Sequence, residues 1–200
     1  MEKSQHLIVV AGEASGDLHA SFLVDEIKRL DPAITFSGLG GELMQKSGVH
    51  LYENLVDLAV VGFAEVIRHW GKFQRIFNMI LNKIEETRAA GVVLIDYPGF
   101  NLRLAREIKR RGIPTKMIYY ISPQVWAWKE SRVELIKKVV DKMLVILPFE
   151  KEFYARFGLE VSFVGHPLLD EIKVTEPPEE FLSSLGFSPK QPVIALLPGS

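Results

Sequence analysis

Short apolar runs alternate along the chain with longer segments whose apolar residues recur at helical spacing. Leu7–Ala11 is the first such run and reads as a buried strand. Leu18–Leu30 follows, with Leu18, Phe22, Leu23, Ile27 and Leu30 on one helical face. Thr35–Leu39 reads as a second strand, and Glu42–Ser47 as a short helix stopped by Gly48. Val66–Arg88 is a long helical stretch that Gly71 can interrupt. Val92–Ile95 is a strand, and Leu102–Arg111 is a helix between Asn101 as N-cap and Gly112 at its end. Lys116–Ile121 (strand), Ser131–Val140 (helix), Lys142–Leu147 (strand), Lys151–Phe157 (helix, ended by Gly158) and Val161–Val164 (strand) complete the alternation.

Strands that lack polar alternation and are separated by helices imply a parallel sheet covered on both faces. The predicted fold is therefore α/β, a Rossmann-like doubly wound sheet, whose ligands bind beyond the carboxyl ends of the strands. The main domain is expected over residues 1–170. A polar, proline-bearing linker is expected over 171–191, centred on Glu176-Pro177-Pro178-Glu179-Glu180. Pro192–Leu197 reads as a new buried strand, so residues 192–200 are expected to open a second, truncated domain. The alternative is that this strand joins the first sheet.

Composition narrows the function. Of 200 residues, 48 % are apolar, enough for a full core, and mean hydropathy is +0.12. A formal net charge of −1 lacks the basic excess of a nucleic-acid binder. The absence of cysteine excludes disulfides, thiolate chemistry and cysteine-based zinc sites. No apolar stretch reaches the roughly 18–20 residues of a spanning helix, so a soluble or peripheral protein is expected.

The chemistry-bearing residues sit after the strands. Gly12-Glu13-Ala14-Ser15-Gly16-Asp17 follows the first. Its spacing matches neither the dinucleotide fingerprint nor a P-loop. Ser15 or Asp17 can cap the next helix, and together with Glu13 they can instead hold sugar hydroxyls. Gly38-Leu39-Gly40-Gly41 follows the second strand; it fits close approach to a ligand or a neighbouring loop, or a plain turn. Asp96, in Asp96-Tyr97-Pro98-Gly99-Phe100-Asn101, is the best catalytic candidate, a carboxylate at the end of a buried central strand. Ser122-Pro123-Gln124-Val125-Trp126-Ala127-Trp128 offers an apolar wall for a lipid or sugar face, unless its indoles pack in the core. His166, in Gly165-His166-Pro167, is either a ligand donor or structural. No Asp-x-Asp pair, His-Glu-x-x-His or Gly-x-Ser-x-Gly motif is present, so no metal, no other cofactor and no serine-hydrolase triad is expected.

Taken in order, these motifs, with Leu147-Pro148-Phe149-Glu150 and the terminal Leu196-Leu197-Pro198-Gly199-Ser200, resemble lipid-A-disaccharide synthase over essentially the whole length. The resemblance implies the N-terminal half of a two-domain, GT-B type inverting glycosyltransferase. That enzyme joins UDP-2,3-diacylglucosamine to 2,3-diacylglucosamine 1-phosphate, giving lipid A disaccharide 1-phosphate and UDP. It implies a bacterial protein on the cytoplasmic face of the inner membrane, with a homodimer allowed for the full-length form. It further implies Asp96 as base and Gly12, Glu13, Ser15, Gly16, Asp17, Gly40, Gly41, Asn101, Ser122, Trp126, His166, Gly199 and Ser200 as cleft residues. Family members continue the terminal motif with arginine after Pro-Gly-Ser, where this sequence stops at Ser200. Some carry a second aspartate at the position of Gly99. The alternatives are an inactive lipid-binding fragment, or another UDP-amino-sugar transferase or epimerase of the same shape.

Val66, Ile67, Trp70, Phe73, Ile76 and Phe77 recur at near-helical spacing with Arg68, His69, Lys72 and Arg75 interleaved. This pattern suits an interfacial helix on an anionic lipid surface. The alternative is a helix whose apolar face meets the core, and the acyl chains of the implied substrates favour the membrane reading.

Overall fold

The computed structural model describes residues 5–59, 70–172, 177–188 and 192–196. It divides into two compact units, Met1–His166 and Pro167–Ser200.

The first unit is built on β1 (His6–Ala11), β2 (Thr35–Gly40), β3 (His50–Asn54), β4 (Gly91–Ile95), β5 (Lys116–Tyr120), β6 (Lys142–Val145) and β7 (Ser162–Phe163). All pair in parallel, in the order β3-β2-β1-β4-β5-β6-β7. The helices are α1 (Ala14–Leu30), α2 (Glu42–Lys46), α3 (Leu55–Ala59), α4 (Trp70–Thr87), α5 (Pro98–Arg111), α6 (Val125–Trp128), α7 (Val133–Val139) and α8 (Pro148–Ala155). The expected Rossmann-like doubly wound architecture is therefore present.

The strands carry no polar alternation because both faces are buried. Successive residues serve opposite layers: Ile8, Val10, Val92, Leu94 and Tyr119 join one core, while Val9, Ala11, Val93, Ile95 and Tyr120 join the other. The α4 residues Ile76, Phe77, Ile80, Leu81 and Ile84 follow a helical period and enter the first core with α5 residues Leu104, Ala105 and Ile108. Full burial of each large aliphatic side chain contributes about 1.5–3 kcal/mol. Ala20 and Val24 of α1 enter the second core.

Several elements depart from the sequence reading. β3 has no counterpart in it, because His-Leu-Tyr-Glu-Asn is an edge strand too polar to register as an apolar run. Helix α1 begins at Ala14, with Glu13 rather than Ser15 or Asp17 at the N-cap. Helix α5 begins at Pro98, with Tyr97 at the N-cap, so Asn101 lies inside the helix. Proline at the first helical position explains the earlier start, since its missing N–H is unneeded there. Gly112 ends α5 in the left-handed conformation, as expected.

The second unit carries α9 (Leu168–Glu171) and α10 (Pro178–Ser184), the latter within the segment read as a linker. Residues 192–196 form no strand, and the seven-stranded sheet does not include them. An apolar run becomes a strand only with a ladder partner, and none of the described residues provides one. Among the described residues no helix is long and apolar enough to cross a membrane.

Candidate active site at the sheet switch point

The strand order reverses between β1 and β4, where Ala11 stands in register with Ile95. The loops leaving these strands diverge to opposite faces, and the crevice between them is the site such sheets offer a ligand. Asp96 directly follows β4 and Glu13 lies two residues beyond β1, which brings two carboxylates of distant sequence within electrostatic reach.

Asp96 and Tyr97 are both left-handed, with φ of 40° and 44°. Two consecutive non-glycine residues there cost about 1–3 kcal/mol each and persist only where the surroundings over-determine them. Here they do. The Tyr119 hydroxyl donates to the Asp96 carbonyl at 2.5 Å, and Asn101 Nδ2 donates to the carbonyls of Asp96 at 2.8 Å and Ile95 at 3.1 Å. Gly12 makes room, since a Cβ there would overlap the Tyr97 ring. The turn throws the Asp96 carboxylate up from the sheet while locking its backbone.

Burial pushes the Asp96 carboxyl up to about 6, with help from the Glu13 charge and partial relief from the Tyr97 N–H. A carboxylate poised there is ionised at neutral pH yet basic enough to accept a proton. Burial, then the Asp96 charge, holds the Tyr119 hydroxyl well above its ordinary value, so it remains a donor.

Asp96 stands on the wall of a cavity of about 240 Å³ that the loop after β5 completes with Gln124, Trp128, Lys129 and Arg132. That loop too leaves its strand through a strained residue, Ile121 at φ 64°. Trp128 is 69 % exposed, with Lys129 Nζ 4.1 Å and Arg132 Cζ 6.0 Å from its ring centre. A second cavity, of about 200 Å³, lies beside Tyr97 and is walled by Phe73, Phe77, Phe100 and Arg103.

The other expected residues divide by what they touch. Glu13 and Ser15 are exposed at the start of α1, and Gly16 packs against Ala11 and Ile95. Asp17 is 4 % exposed, and its carboxylate accepts the N–H groups of Gly41, Leu43 and Met44 at 2.8, 3.0 and 3.1 Å. Gly40 and Gly41 are approached by protein groups, the Met44 sulfur and the Asp17 carboxylate, so the neighbouring-loop reading of that cluster describes them. Ser122 is buried, with its hydroxyl 2.6 Å from that of Tyr154 and bonded to the Pro123 carbonyl. Trp126 lies edge-on to Phe149 and lines a different cavity with Phe149 and Arg156. His166 sets its ring 6.1 Å from that of His19; burial, then the neighbouring His166, holds the His19 imidazole below its ordinary range. Gly199 and Ser200 lie outside the described residues. Among the described residues no three acidic or histidine side chains converge as metal ligands.

The expected lipid-facing set also divides. Ile76 and Phe77 are 4 % and 6 % exposed and belong to the core, which corrects their assignment to a lipid-facing side. Phe73 is half-buried on the apolar cavity. Val66, Ile67 and the side chain of Trp70 lie outside the described residues.

Sequence reasoning did not assign Tyr119, Lys129 or Arg132, and of the two tryptophans it chose Trp126 where Trp128 shares the cavity with Asp96. A pair of basic residues three apart beside an indole was the available signal for Lys129 and Arg132. Nothing in an apolar strand marked Tyr119.

Residues 7–200 match the model of the family described as lipid-A-disaccharide synthetase. The chain belongs to that family. It is 47 % identical over 197 residues to the lipid-A-disaccharide synthase of Geobacter sulfurreducens, covering 98 % of this chain and 51 % of the relative. It is 44 % identical over 200 residues to lipid-A-disaccharide synthase 1 of Legionella pneumophila strain Lens, covering 100 % of this chain and 52 % of that protein. The chain thus spans about half the length of the curated relatives it matches. Among solved structures, a Listeria monocytogenes protein described as a UDP-N-acetylglucosamine 2-epimerase aligns at TM-score 0.55 and 11 % identity, over 86 % of this chain and 52 % of that one. MurG of Acinetobacter baumannii aligns at TM-score 0.50 and 12 % identity, over 87 % and 48 %. At such identities the likeness is one of fold alone, a Rossmann-like domain matching about half of each neighbour.

Proposed function

We propose that this chain supplies the acceptor-binding and base-bearing half of an inverting glycosyltransferase of lipid A biosynthesis. The donor is UDP-2,3-diacylglucosamine and the acceptor 2,3-diacylglucosamine 1-phosphate. The observation that carries the reading is the Asp96 carboxylate, held on a strained, doubly clamped turn at the switch point with its pKa raised to about 6.

Inversion needs one displacement. The acceptor 6-hydroxyl oxygen bonds to the donor anomeric carbon while its proton passes to Asp96. The bond from that carbon to the UDP oxygen breaks, and UDP leaves with the electron pair. A positioned base contributes ~10²–10⁴-fold to such a step. Glu13 assists by keeping Asp96 basic. In this reading the donor site and the groups that offset charge on UDP lie in the part of the curated relatives that this chain does not match.

The apolar cavity beside Tyr97 supports placing an acyl chain of the acceptor next to Asp96. Peripheral attachment to an anionic bilayer on the cytoplasmic side is supported by the sequence pattern of Val66, Ile67, Trp70 and Phe73 with Arg68, His69 and Lys72 interleaved.

The test is an assay of a full-length protein carrying this half, wild type beside Asp96→Asn, with both diacylated substrates. Disaccharide made by the wild type and lost in the variant is the expected result. Normal turnover by the variant moves the base elsewhere, and no disaccharide from folded wild type removes the proposed reaction.

A further inference from the structure

Lys129 and Arg132 face the same cavity as Asp96, and each is half-buried. Of the other half-buried lysine and arginine side chains among the described residues, Lys72 pairs with Glu53 and Lys83 with Glu86, while Lys28 donates to the Ser47 carbonyl. Lys129 and Arg132 have no ion-pair partner among the described residues; both lie against the Trp128 ring, at 4.1 and 6.0 Å, and the Arg132 charge also acts on the Tyr119 hydroxyl. Trp128 itself is 69 % exposed and lines the same cavity. Partial burial removes water from a cation, and without a counter-charge the deficit is made up only when an anion arrives.

Burial, Glu13 and the Tyr97 N–H account for the Asp96 shift, and neither cation contributes to it. An anion held by these cations shares the cavity with the Asp96 carboxylate. A ligand that fills the cavity needs a hydroxyl at the Asp96 end, a phosphate at the other, and a ring between them to lie on an indole. A sugar bearing a phosphomonoester across the ring from its reactive hydroxyl has that layout.

We propose that Lys129 and Arg132, with Trp128 between them and the sugar, form the subsite that binds the phosphomonoester of the acceptor. The inference rests on the acceptor named under the proposed function and adds the residues that select it by its phosphate. Arg132 supplies a planar, bidentate donor and Lys129 a mobile point charge, a combination suited to a terminal phosphate. Trp128 supplies a flat apolar face, and its cation contacts keep both basic groups close.

The experiment has a binding arm and a turnover arm. The 200-residue chain is titrated with glucosamine 1-phosphate, glucosamine and UDP while tryptophan fluorescence is followed, for wild type, Lys129→Met/Arg132→Gln and Arg132→Lys. Wild type is expected to bind glucosamine 1-phosphate at least 10-fold more tightly than glucosamine. The double variant should lose that preference with an unchanged melting temperature, and Arg132→Lys should keep part of it. Equal binding of both sugars, or tighter binding of UDP that the double variant abolishes, overturns the proposal. In the full-length protein, the double variant should raise the KM for phosphorylated acceptor in detergent micelles about 10-fold and leave the donor KM unchanged. A defect that appears only on anionic vesicles assigns the cations to lipid headgroups and overturns the proposal. Sugar phosphate binding without disaccharide formation sinks the transferase reading and leaves the subsite standing; turnover indifferent to both residues does the reverse.

Discussion

The Tyr119 hydroxyl donates to the Asp96 carbonyl at 2.5 Å. A side chain buried in the sheet's helix-covered core thereby holds the backbone of the carboxylate that projects from its edge. Asn101, one turn into α5, grips the same oxygen at 2.8 Å. The strained turn is thus tied to both the strand beside it and the helix that follows it.

Replacing Tyr119 by Phe removes one of these two donors and leaves the ring in place. Stability should fall by about 0.5–1.5 kcal/mol, the net value of one hydrogen bond. Turnover should fall while acceptor KM holds, by less than the ~100-fold that a 1 Å misplacement can bring. Chemical denaturation and steady-state kinetics read both quantities. Unchanged kcat with reduced stability would show that Asn101 alone suffices to set the turn.

Asp96→Asn should separate activity from stability. The folded carboxyl titrates at about 6 against an ordinary 3.8, so the folded state holds the proton more tightly than the unfolded chain. Stability therefore declines as pH rises from about 4 to about 6, and the penalty is complete above that window. Asparagine carries no such charge and tolerates the left-handed backbone better than most residues. The variant should be the more stable protein at pH 7–8 and equal to wild type near pH 4, while activity is lost. Wild-type kcat/KM should rise with pH through about 6. Melting curves across pH check the first expectation; a variant less stable than wild type at pH 8 would contradict the burial penalty assigned to Asp96.

The fold was legible because both faces of a parallel sheet are buried, so its strands appear as plain apolar runs; six of the seven can be read this way. The exception, β3, lies at one edge and has a mixed sequence, whereas β7, part-exposed at the other edge, lies within a run that is still mostly apolar. Asp96 was legible from its place after a buried strand. What sequence could not supply was side-chain destination. Asp17 and Ser122 lie in the right loops and turn their polar atoms inward, and Asn101 looks like a cap yet sits a turn inside the helix. Lys129 and Arg132 resemble ordinary surface cations until the structure shows that they share the cavity that Asp96 lines. Val66–Arg88 carried two readings because lipid and core select the same apolar face; burial assigns Ile76 and Phe77 to the core.

Asp17 invites a test that distinguishes support from ligand contact. Its carboxylate satisfies three amides at the start of α2, and Asp17→Ala would leave them without that acceptor. At about 1 kcal/mol or more for each unsatisfied group, the loss should reach roughly 3 kcal/mol. For a chain of this size that lowers the melting temperature by about 6–12 °C. Sugar phosphate affinity of the folded variant should be unchanged. A melting temperature near that of wild type, with weakened sugar binding, would instead return Asp17 to the ligand.

Phe73 and Phe77 lie one turn apart on α4 and should respond differently to truncation. Phe77 is 6 % exposed, packs edge-on to Phe100 with ring centres 5.6 Å apart, and lies under the Arg103 guanidinium at 4.8 Å. Phe77→Ala should cost about 3–5 kcal/mol, as large core truncations do, without altering vesicle binding by the fraction that remains folded. Phe73 is half-buried at the apolar cavity, so Phe73→Ser should cost less stability and release the protein from anionic vesicles. Melting temperature and vesicle co-sedimentation at low and high salt measure the contrast. If Phe73→Ser unfolds the protein as readily as Phe77→Ala and leaves vesicle binding intact, this end of α4 belongs to the core as well, and the membrane contact must lie elsewhere.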